Sequence, residues 1–135
     1  MITAITEIRV RFAETDAMGV VYHANYFPWC ECARLNLIET MGLTYKKMIE
    51  DGYHLPVVEA HLNYKFPARY DDIISIKAFM KERPAVRVKV EYEISANGKL
   101  LATGHTVHVF VNKDGAPVKP PKDVLAAMLK SYEKK

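Results

Sequence analysis

Hydrophobic and polar residues alternate along several segments of the chain, and alternation with a period of two is typical of half-buried β-strands. The clearest case runs from Val86 to Ile94, where apolar residues alternate with arginine, lysine and glutamate. Asn97-Gly98 follows closely, and this dipeptide favours a type I′ hairpin turn because both turn positions need positive φ. The pattern predicts five strands, at about residues 8–12, 58–66, 73–80, 86–94 and 100–111.

Helices are predicted in the remaining parts of the chain. The longest spans about residues 25–41, with Asn25 as a candidate N-cap and Gly42 as a candidate C-terminal stop. Apolar residues cover most of its circumference, which is typical of a helix buried inside a protein rather than laid on its surface. Shorter helices are predicted at about residues 44–51 and 124–133.

The order of these elements predicts an α+β architecture, with one strand, one long helix and then four antiparallel strands. A curled sheet wrapped around a single hydrophobic helix satisfies both patterns at once. With 135 residues, the chain is predicted to form a single domain, residues 1–135. Because the edge strands of such a sheet need a partner, we expect a homo-oligomer, either a dimer or a homotetramer.

Composition narrows the possible partners. Half of the residues are hydrophobic and 26% are charged, a balance typical of globular proteins. The net charge of +3 is too small to predict nucleic acid as a main partner, although it suits an anionic ligand. No apolar run approaches the ~20 residues that cross a bilayer, and the first residues lack the features of a secretion signal. We therefore expect a cytoplasmic protein with no integral membrane segment.

The cysteines and histidines favour packing roles over a metal centre. Cys30 and Cys32 would lie about 200° apart around a helix, so they cannot share a small metal site or form a relaxed disulfide there. The five histidines form neither an HExxH motif nor a Cys/His ladder. His105 and His108 lie three positions apart on a predicted strand and should face opposite sides of the sheet. We predict no metal.

The segment between the first strand and the long helix concentrates the candidate chemistry. It places a carboxylate at Asp16, a flexible turn at Gly19 and an imidazole at His23 just before the predicted helix N-terminus. The first N–H groups of a helix lack internal partners and lie at the positive end of its dipole, so they can hold an oxyanion. A carboxylate nearby could act as nucleophile or general base toward the same carbonyl group. Because Asp-x-x-Gly also occurs in ordinary turns, these residues alone leave both interpretations open.

The same segment resembles a family signature. The matching residues read Thr15-Asp16-x-x-Gly19-Val20-Val21-Tyr22-His23-x-Asn25-Tyr26-Phe27, and Glu31-x-x-Arg34 follows on the helix. This pattern is similar to that of the 4-hydroxybenzoyl-CoA thioesterase-like acyl-CoA thioesterases, and the similarity continues through residues 64–72 and 104–111. The resemblance implies the hotdog fold, an antiparallel five-stranded sheet wrapped around a long central helix.

The resemblance also implies roles for single residues. Asp16 matches the family's catalytic carboxylate, and His23 matches the position whose backbone N–H polarises the thioester carbonyl. Tyr22 and Tyr26 are candidates for substrate binding in an acyl pocket, although aromatic residues in this region also suit the core. Phe12 stands where some relatives carry a tyrosine, so a hydroxyl contribution is absent at that position. Whether the carboxylate attacks directly or activates water is left open by the resemblance.

Coenzyme A carries phosphate groups, so basic residues are expected to line its entrance. Arg83 is the preferred candidate for substrate binding, because it precedes Pro84 in a turn between two strands where relatives contact the nucleotide. The other candidate cations are Lys65, Arg69, Arg87, Lys119 and Lys122. No cofactor is expected, since the thiolate of coenzyme A is already a good leaving group.

The sequence therefore predicts an acyl-CoA thioesterase, which releases a carboxylic acid and free coenzyme A. Two alternatives stay open: a non-catalytic module that binds acyl-CoA or an acyl-carrier protein, and a hotdog dehydratase. Dehydratases typically use a carboxylate on the helix, whereas Asp16 lies in the preceding loop. Glu31 is such a helix carboxylate, but its spacing from Arg34 favours an ion pair that holds the helix. The acyl group, whether short, aromatic or long, is not indicated.

Overall fold

The computed structural model of the chain describes residues 1–134. The helices are α1 (Tyr26–Thr40), α2 (Tyr45–Glu50) and α3 (Lys122–Glu133). The strands are β1 (Thr3–Arg9), β2 (Tyr53–His54), β3 (Val57–Tyr64), β4 (Ile73–Phe79), β5 (Arg87–Ala96), β6 (Lys99–Val109) and β7 (Val111–Asn112). Two 3₁₀ turns, Phe12–Glu14 and His23–Asn25, lie between β1 and α1.

Five strands form one antiparallel sheet in the order β1-β4-β5-β6-β3, so β1 and β3 are its edges. The long helix α1 packs against β1 and β4, and the short strands β2 and β7 form a separate pair. In β5, burial follows the predicted alternation, because every second residue from Val88 to Ala96 is buried. The predicted five-stranded antiparallel sheet with a long helix against it is confirmed.

The first strand lies earlier in the chain than the alternation predicted. The prediction placed it at residues 8–12, whereas β1 covers Thr3–Arg9. It ends at Arg9 because its partner β4 begins at Ile73, the residue directly opposite. Phe12 then lies in a 3₁₀ turn with 74% of its surface exposed, so it is not a strand residue.

The predicted hairpin between β5 and β6 is confirmed by backbone geometry. Asn97 has φ +53° and Gly98 has φ +73°, so both turn positions lie in the left-handed region that this turn requires. The turn pairs β5 with β6 in antiparallel orientation from Ala96 opposite Lys99 to Arg87 opposite Val109, with a register shift between Ile94 and Ser95.

The helix α1 packs one side into the hydrophobic core, whereas its sequence predicted burial over most of its circumference; Glu31, Cys32 and Glu39 are exposed. Its buried residues are Tyr26, Trp29, Cys30, Ala33, Leu37 and Ile38. Cys30 is buried and Cys32 is exposed, so the two thiols lie on different sides of the helix. The predicted ion pair between Glu31 and Arg34 is wrong, because the two side chains form no salt bridge within residues 1–134. Arg34 instead donates a hydrogen bond to the Tyr92 hydroxyl. None of the helices in this part of the chain is long and apolar enough to cross a membrane.

A chain of hydrogen bonds runs through the interior from α1 across the sheet. Arg34 donates to the Tyr92 hydroxyl at 3.1 Å, and that hydroxyl lies 2.7 Å from Thr106 Oγ1. Thr106 Oγ1 lies 2.8 Å from His108 Nε2, and His108 Nδ1 lies 3.0 Å from the Leu55 carbonyl oxygen. Since a carbonyl only accepts, Nδ1 of His108 carries the proton and Nε2 accepts from Thr106. His105 lies on the other face of β6, where it contacts Glu59, as the strand spacing predicted.

The buried imidazole of His108 predicts acid sensitivity. Burial, together with the nearby Arg34 guanidinium, lowers the pKa of His108 from 6.5 to about 4. Between these two values the unfolded chain binds a proton that the folded chain excludes, so stability falls as the pH drops. This group should lower the free energy of unfolding by about 2 kcal/mol between about pH 7 and about pH 5. Urea denaturation at both pH values measures this loss, with His108→Gln as the non-titrating control; an equal loss in both proteins would contradict the prediction.

Candidate active site

A short hairpin, residues 15–21, lies between the two 3₁₀ turns and carries Asp16. An antiparallel bridge between its first and last residues closes it. The Asp16 N–H donates to the Val20 carbonyl oxygen at 2.8 Å. Gly19 has φ +79°, a left-handed conformation that favours glycine, and its N–H donates back to the Asp16 carbonyl oxygen at 3.0 Å. The hairpin therefore holds the backbone of Asp16 on both sides.

The hairpin is also attached to the segment that follows β3. Val20 forms an antiparallel bridge with Arg69. The Val21 N–H donates to the carbonyl oxygen of Ala68, a fully buried residue, at 2.8 Å. These contacts bring the Asp16 hairpin beside the end of the edge strand β3, which is distant in sequence.

The Asp16 carboxylate is exposed, and only one of its oxygens is engaged. Oδ1 accepts the Met18 N–H at 2.8 Å. Among residues 1–134, no hydrogen-bond donor contacts Oδ2. One oxygen thus orients the group, while the other is free to meet a substrate or a water molecule.

The start of α1 supplies N–H groups without partners. Across the described part of the chain, the backbone N–H groups of His23 and Ala24 have no protein acceptor. The Tyr64 hydroxyl donates to the His23 carbonyl oxygen at 2.8 Å and so fixes this residue from β3. Asn25 occupies the predicted N-cap position, but its side chain does not cap the helix; it donates to the Glu14 carbonyl oxygen at 2.8 Å. The free N–H groups lie at the positive end of the α1 dipole.

The hairpin, the helix start and the end of β3 line a cavity of about 310 Å³ that opens to the surface. Its lining consists of Asp16, Val20, Val21, His23, Tyr26, Tyr64, Lys65, Phe66 and Pro67. The structure thus brings together three of the five predicted site residues, namely Asp16, His23 and Tyr26. Asp16 carries a carboxylate and His23 an unpaired backbone N–H, and both residues line this cavity. Such a pair of groups can polarise and attack a carbonyl group.

Tyr26 contributes a buried hydroxyl to this cavity. Its oxygen accepts the Ala68 N–H at 3.0 Å, so the phenolic proton is free to be donated elsewhere. Burial raises the pKa of Tyr26 above its ordinary value, so the phenol stays protonated at neutral pH. The predicted acyl-pocket candidate Tyr26 therefore has a phenolic proton that its hydrogen bond with Ala68 does not use.

The other two predicted substrate-binding residues lie outside the cavity lining. Tyr22 is about half exposed, and its ring packs on His23 with 4.5 Å between the ring centroids. The Arg83 guanidinium binds Glu133 of α3 at 2.9 Å. Their roles in binding substrate stay predictions.

The structure adds two residues that the sequence pattern did not single out. Tyr64 joins β3 to the helix start, and Glu14 accepts the Trp29 indole N–H in the interior. The contact between Tyr64 and His23 spans 41 positions, so no local pattern reveals it. Lys65, one of several cations proposed for phosphate contacts, lines the cavity itself. Within the described residues, no group of three or more His, Cys, Asp or Glu side chains is placed to hold a metal ion.

A five-stranded antiparallel sheet wrapped around one long helix is the hotdog fold, and the class that it defines here is that of the hotdog-fold thioesterases. The chain belongs to the thioesterase-like superfamily, whose family model matches residues 10–128. This membership confirms the resemblance found in residues 15–34, and the prediction of a thioesterase is confirmed with it.

Similar proteins cover most of the chain. Acyl-CoA thioesterase YbgC of Haemophilus influenzae is 32% identical over 123 residues, which cover 89% of this chain and 90% of that protein. A 1,4-dihydroxy-2-naphthoyl-CoA hydrolase of Synechococcus elongatus is 31% identical over 102 residues, or 74% of this chain and 75% of that one. The solved structure of a DHNA-CoA thioesterase from Staphylococcus aureus matches with a TM-score of 0.93 and 36% identity, covering 96% of this chain and 91% of that chain.

Proposed function

We propose that the protein hydrolyses acyl-CoA thioesters to a carboxylic acid and free coenzyme A, in the cavity beside Asp16. The observation that carries this proposal is the shared lining of the cavity, which includes Asp16 with one free carboxylate oxygen and His23 with a free N–H at the helix start. The names of the relatives support the substrate class, because the Haemophilus protein is named an acyl-CoA thioesterase and the Synechococcus protein a naphthoyl-CoA hydrolase.

In the proposed complex, the thioester carbonyl oxygen points toward the His23 N–H at the start of α1. Negative charge develops on this oxygen as the carbonyl carbon becomes tetrahedral. An N–H held rigidly at the positive end of a helix stabilises that charge without reorganising during the reaction. The hydrogen bond from Tyr64 to the His23 carbonyl oxygen supports this rigidity.

Asp16 acts on the carbonyl carbon by one of two routes with the same net reaction. As nucleophile, its Oδ2 forms a bond to the carbonyl carbon and the C–S bond breaks, which gives a mixed anhydride that water then hydrolyses. As general base, it takes a proton from water while the water oxygen attacks. In both routes coenzyme A leaves as a thiolate, and one water molecule is consumed for each thioester.

Substrate contacts extend from the reacting atoms to the protein surface. Tyr26, whose phenolic proton is not used by its bond with Ala68, is proposed to bind the substrate in the cavity, and Tyr22 is proposed to contact it beside His23. Lys65 lines the entrance, where a cation suits the phosphate groups of coenzyme A. Arg83 is proposed as a further phosphate contact, which would require it to exchange Glu133 for the substrate.

The direct test is the release of free thiol from a panel of acyl-CoA esters, from acetyl to palmitoyl, with benzoyl and 4-hydroxybenzoyl esters included. Turnover on at least one ester supports the proposal and identifies the acyl class. Binding of acyl-CoA without thiol release would favour a non-catalytic binding module. Dehydration of a 3-hydroxyacyl thioester with the thioester intact would favour a dehydratase.

We further propose that a second copy of the chain pairs with the edge strand β3. This strand hydrogen-bonds to β6 on one side only, and it leaves apolar residues exposed. Val57 is 48% exposed, Val58 58% and Tyr64 41%, and an exposed apolar edge strand is a template for pairing with another chain. Pairing two copies through β3 would continue the sheet and cover these side chains.

A charge on this edge is expected to prevent that pairing. Val58→Lys places an ammonium group on an exposed strand position, where the fold of one chain tolerates it. Light scattering after size exclusion should give a multiple of 15.4 kDa for the wild type and a mass near 15.4 kDa for the variant. Ile5→Lys, on the opposite edge strand β1, is the matched control and should leave the assembly intact. A wild-type protein of single-chain mass would contradict the proposal.

A further inference from the structure

Glu14 is a buried carboxylate that the proposed reaction does not use. Its side chain is only 7% exposed. Oε1 accepts the Arg11 N–H at 2.8 Å and lies 3.5 Å from the Arg11 guanidinium, while Oε2 accepts the Trp29 indole N–H at 2.8 Å. Both oxygens are occupied, so this carboxylate is not available to attack a substrate.

The backbone of Glu14 is engaged as fully as its side chain. Its carbonyl oxygen accepts the Tyr22 N–H at 2.9 Å and the Asn25 side-chain amide at 2.8 Å. Glu14 immediately precedes the hairpin that carries Asp16, and Tyr22 immediately follows it. A single residue therefore joins both ends of the hairpin to the first turn of α1.

The charge on Glu14 is stabilised by these contacts. Burial raises its pKa, but the hydrogen bonds from the Arg11 N–H and the Trp29 indole, with the Arg11 guanidinium, outweigh burial and hold the pKa below its ordinary value. The group is thus an ionised acceptor at neutral pH. Removing it would leave the buried indole N–H of Trp29 without a partner, which is costly in a protein interior.

We propose that Glu14 is a positioning residue for thioester hydrolysis: through Trp29 and Arg11 it sets the place of the Asp16 hairpin relative to the start of α1. This inference rests on the proposed function. A misplacement of about 1 Å between reacting groups can lower a rate by about 10²-fold. Glu14 does not line the cavity, so its loss should affect the geometry of attack more than the binding of substrate.

Glu14→Gln tests the proposal while keeping the volume of the side chain. One of its two acceptor oxygens becomes an amide NH₂ group, which cannot accept the Arg11 or Trp29 N–H. We expect kcat to fall about 10- to 100-fold, with KM changed less than about threefold. The pH dependence of kcat/KM should keep its wild-type shape, because Glu14 exchanges no proton with the substrate. A change in KM alone would contradict the proposal, and so would a pH profile whose shape differs from that of the wild type.

Trp29→Phe is the matched variant, because it removes the indole N–H and keeps an aromatic ring in the core. If Glu14 acts through Trp29, the two substitutions interrupt the same bond and their effects on kcat should not add. The kcat of the double variant should then be close to that of the less active of the two single variants. Fully additive losses would show that Glu14 does not act through this bond. Thermal unfolding of each variant identifies any that fails to fold.

An independent measurement follows the hydrogen bond itself. Trp29 is the one tryptophan of the chain, so its indole N–H gives a single resonance in a ¹⁵N-labelled sample. We expect slow solvent exchange of this proton in the wild type and faster exchange with a shifted resonance in Glu14→Gln. If the exchange is unchanged in Glu14→Gln, the Glu14 carboxylate does not hold the Trp29 indole, and the proposal is wrong.

Asp16→Asn, assayed beside Glu14→Gln, separates the two possible failures. If Asp16→Asn abolishes turnover while Glu14→Gln keeps the wild-type kcat, the positioning role is wrong and the proposed function stands. If Asp16→Asn retains full turnover, the proposed catalytic role of Asp16 is wrong, and the positioning role falls with it.

Discussion

Replacing Asp16 by asparagine is expected to lower kcat for thioester hydrolysis by about 10²–10⁴-fold, the range typical of a lost general base. The amide oxygen of asparagine can still accept the Met18 N–H, so the hairpin should keep its shape. What is lost is the negative charge that either attacks the carbonyl carbon or removes a proton from water. The release of free thiol at saturating substrate measures this loss, and circular dichroism shows that the variant is folded.

A matched substitution tests whether the loss is specific to this carboxylate. Asp114→Asn removes an aspartate from an exposed turn outside the cavity and should leave kcat unchanged. If Asp16→Asn stays within about threefold of the wild type, well below the expected effect of a base, Asp16 is not the catalytic carboxylate. Glu31 would then be the next candidate.

Gly104→Ala is expected to destabilise the protein by about 1–3 kcal/mol or more, as forced overpacking does. A Cβ at this position would lie 2.2 Å from the His61 carbonyl oxygen and 2.6 Å from a methyl group of Leu62. The first of these atoms belongs to the backbone of β3, so β3 would have to move away from β6. Because β3 ends at Tyr64, which holds the His23 carbonyl oxygen, the same movement should also lower kcat.

Two measurements separate these effects of Gly104→Ala. Urea denaturation gives the change in the free energy of unfolding, and thiol release at a temperature where the variant is folded gives kcat. Thr103→Ala, one position earlier on β6, removes atoms without creating a clash and should change stability only slightly. Wild-type stability in Gly104→Ala would show that β3 can move without cost.

The sequence predicted the sheet and the long helix because burial of one side of a strand or helix repeats apolar residues at a fixed spacing along the chain. In β5 every second side chain faces the core, so the alternation from Val88 onward reports burial directly. The turn at Asn97 and Gly98 was predictable for a similar reason, since few residues tolerate positive φ. Asp16 and His23 were found through a motif in which they lie seven positions apart, and both line one cavity in the structure.

Contacts between distant residues could not be predicted in the same way. Arg34 meets Tyr92 across 58 positions, which depends on how α1 lies on the sheet. Helix spacing alone favoured Glu31 as its partner, but in the fold the guanidinium donates to the Tyr92 hydroxyl of β5. In the sequence, Glu14 resembles an ordinary surface glutamate, because no local pattern indicates that its Oε2 accepts the Trp29 indole N–H at 2.8 Å in the fold.

The two cysteines of α1 allow the fraction of folded protein to be measured by counting reactive thiols. Burial raises the pKa of Cys30 to about 12, so in the folded protein this thiol stays protonated and inaccessible, whereas Cys32 faces solvent. A disulfide reagent that counts thiols should therefore react with one group per folded chain and with both after unfolding. The number of reactive thiols per chain in excess of one therefore gives the fraction of unfolded protein in a sample. Blocking Cys32 before the assay also removes the protein's own thiol signal when released coenzyme A is counted.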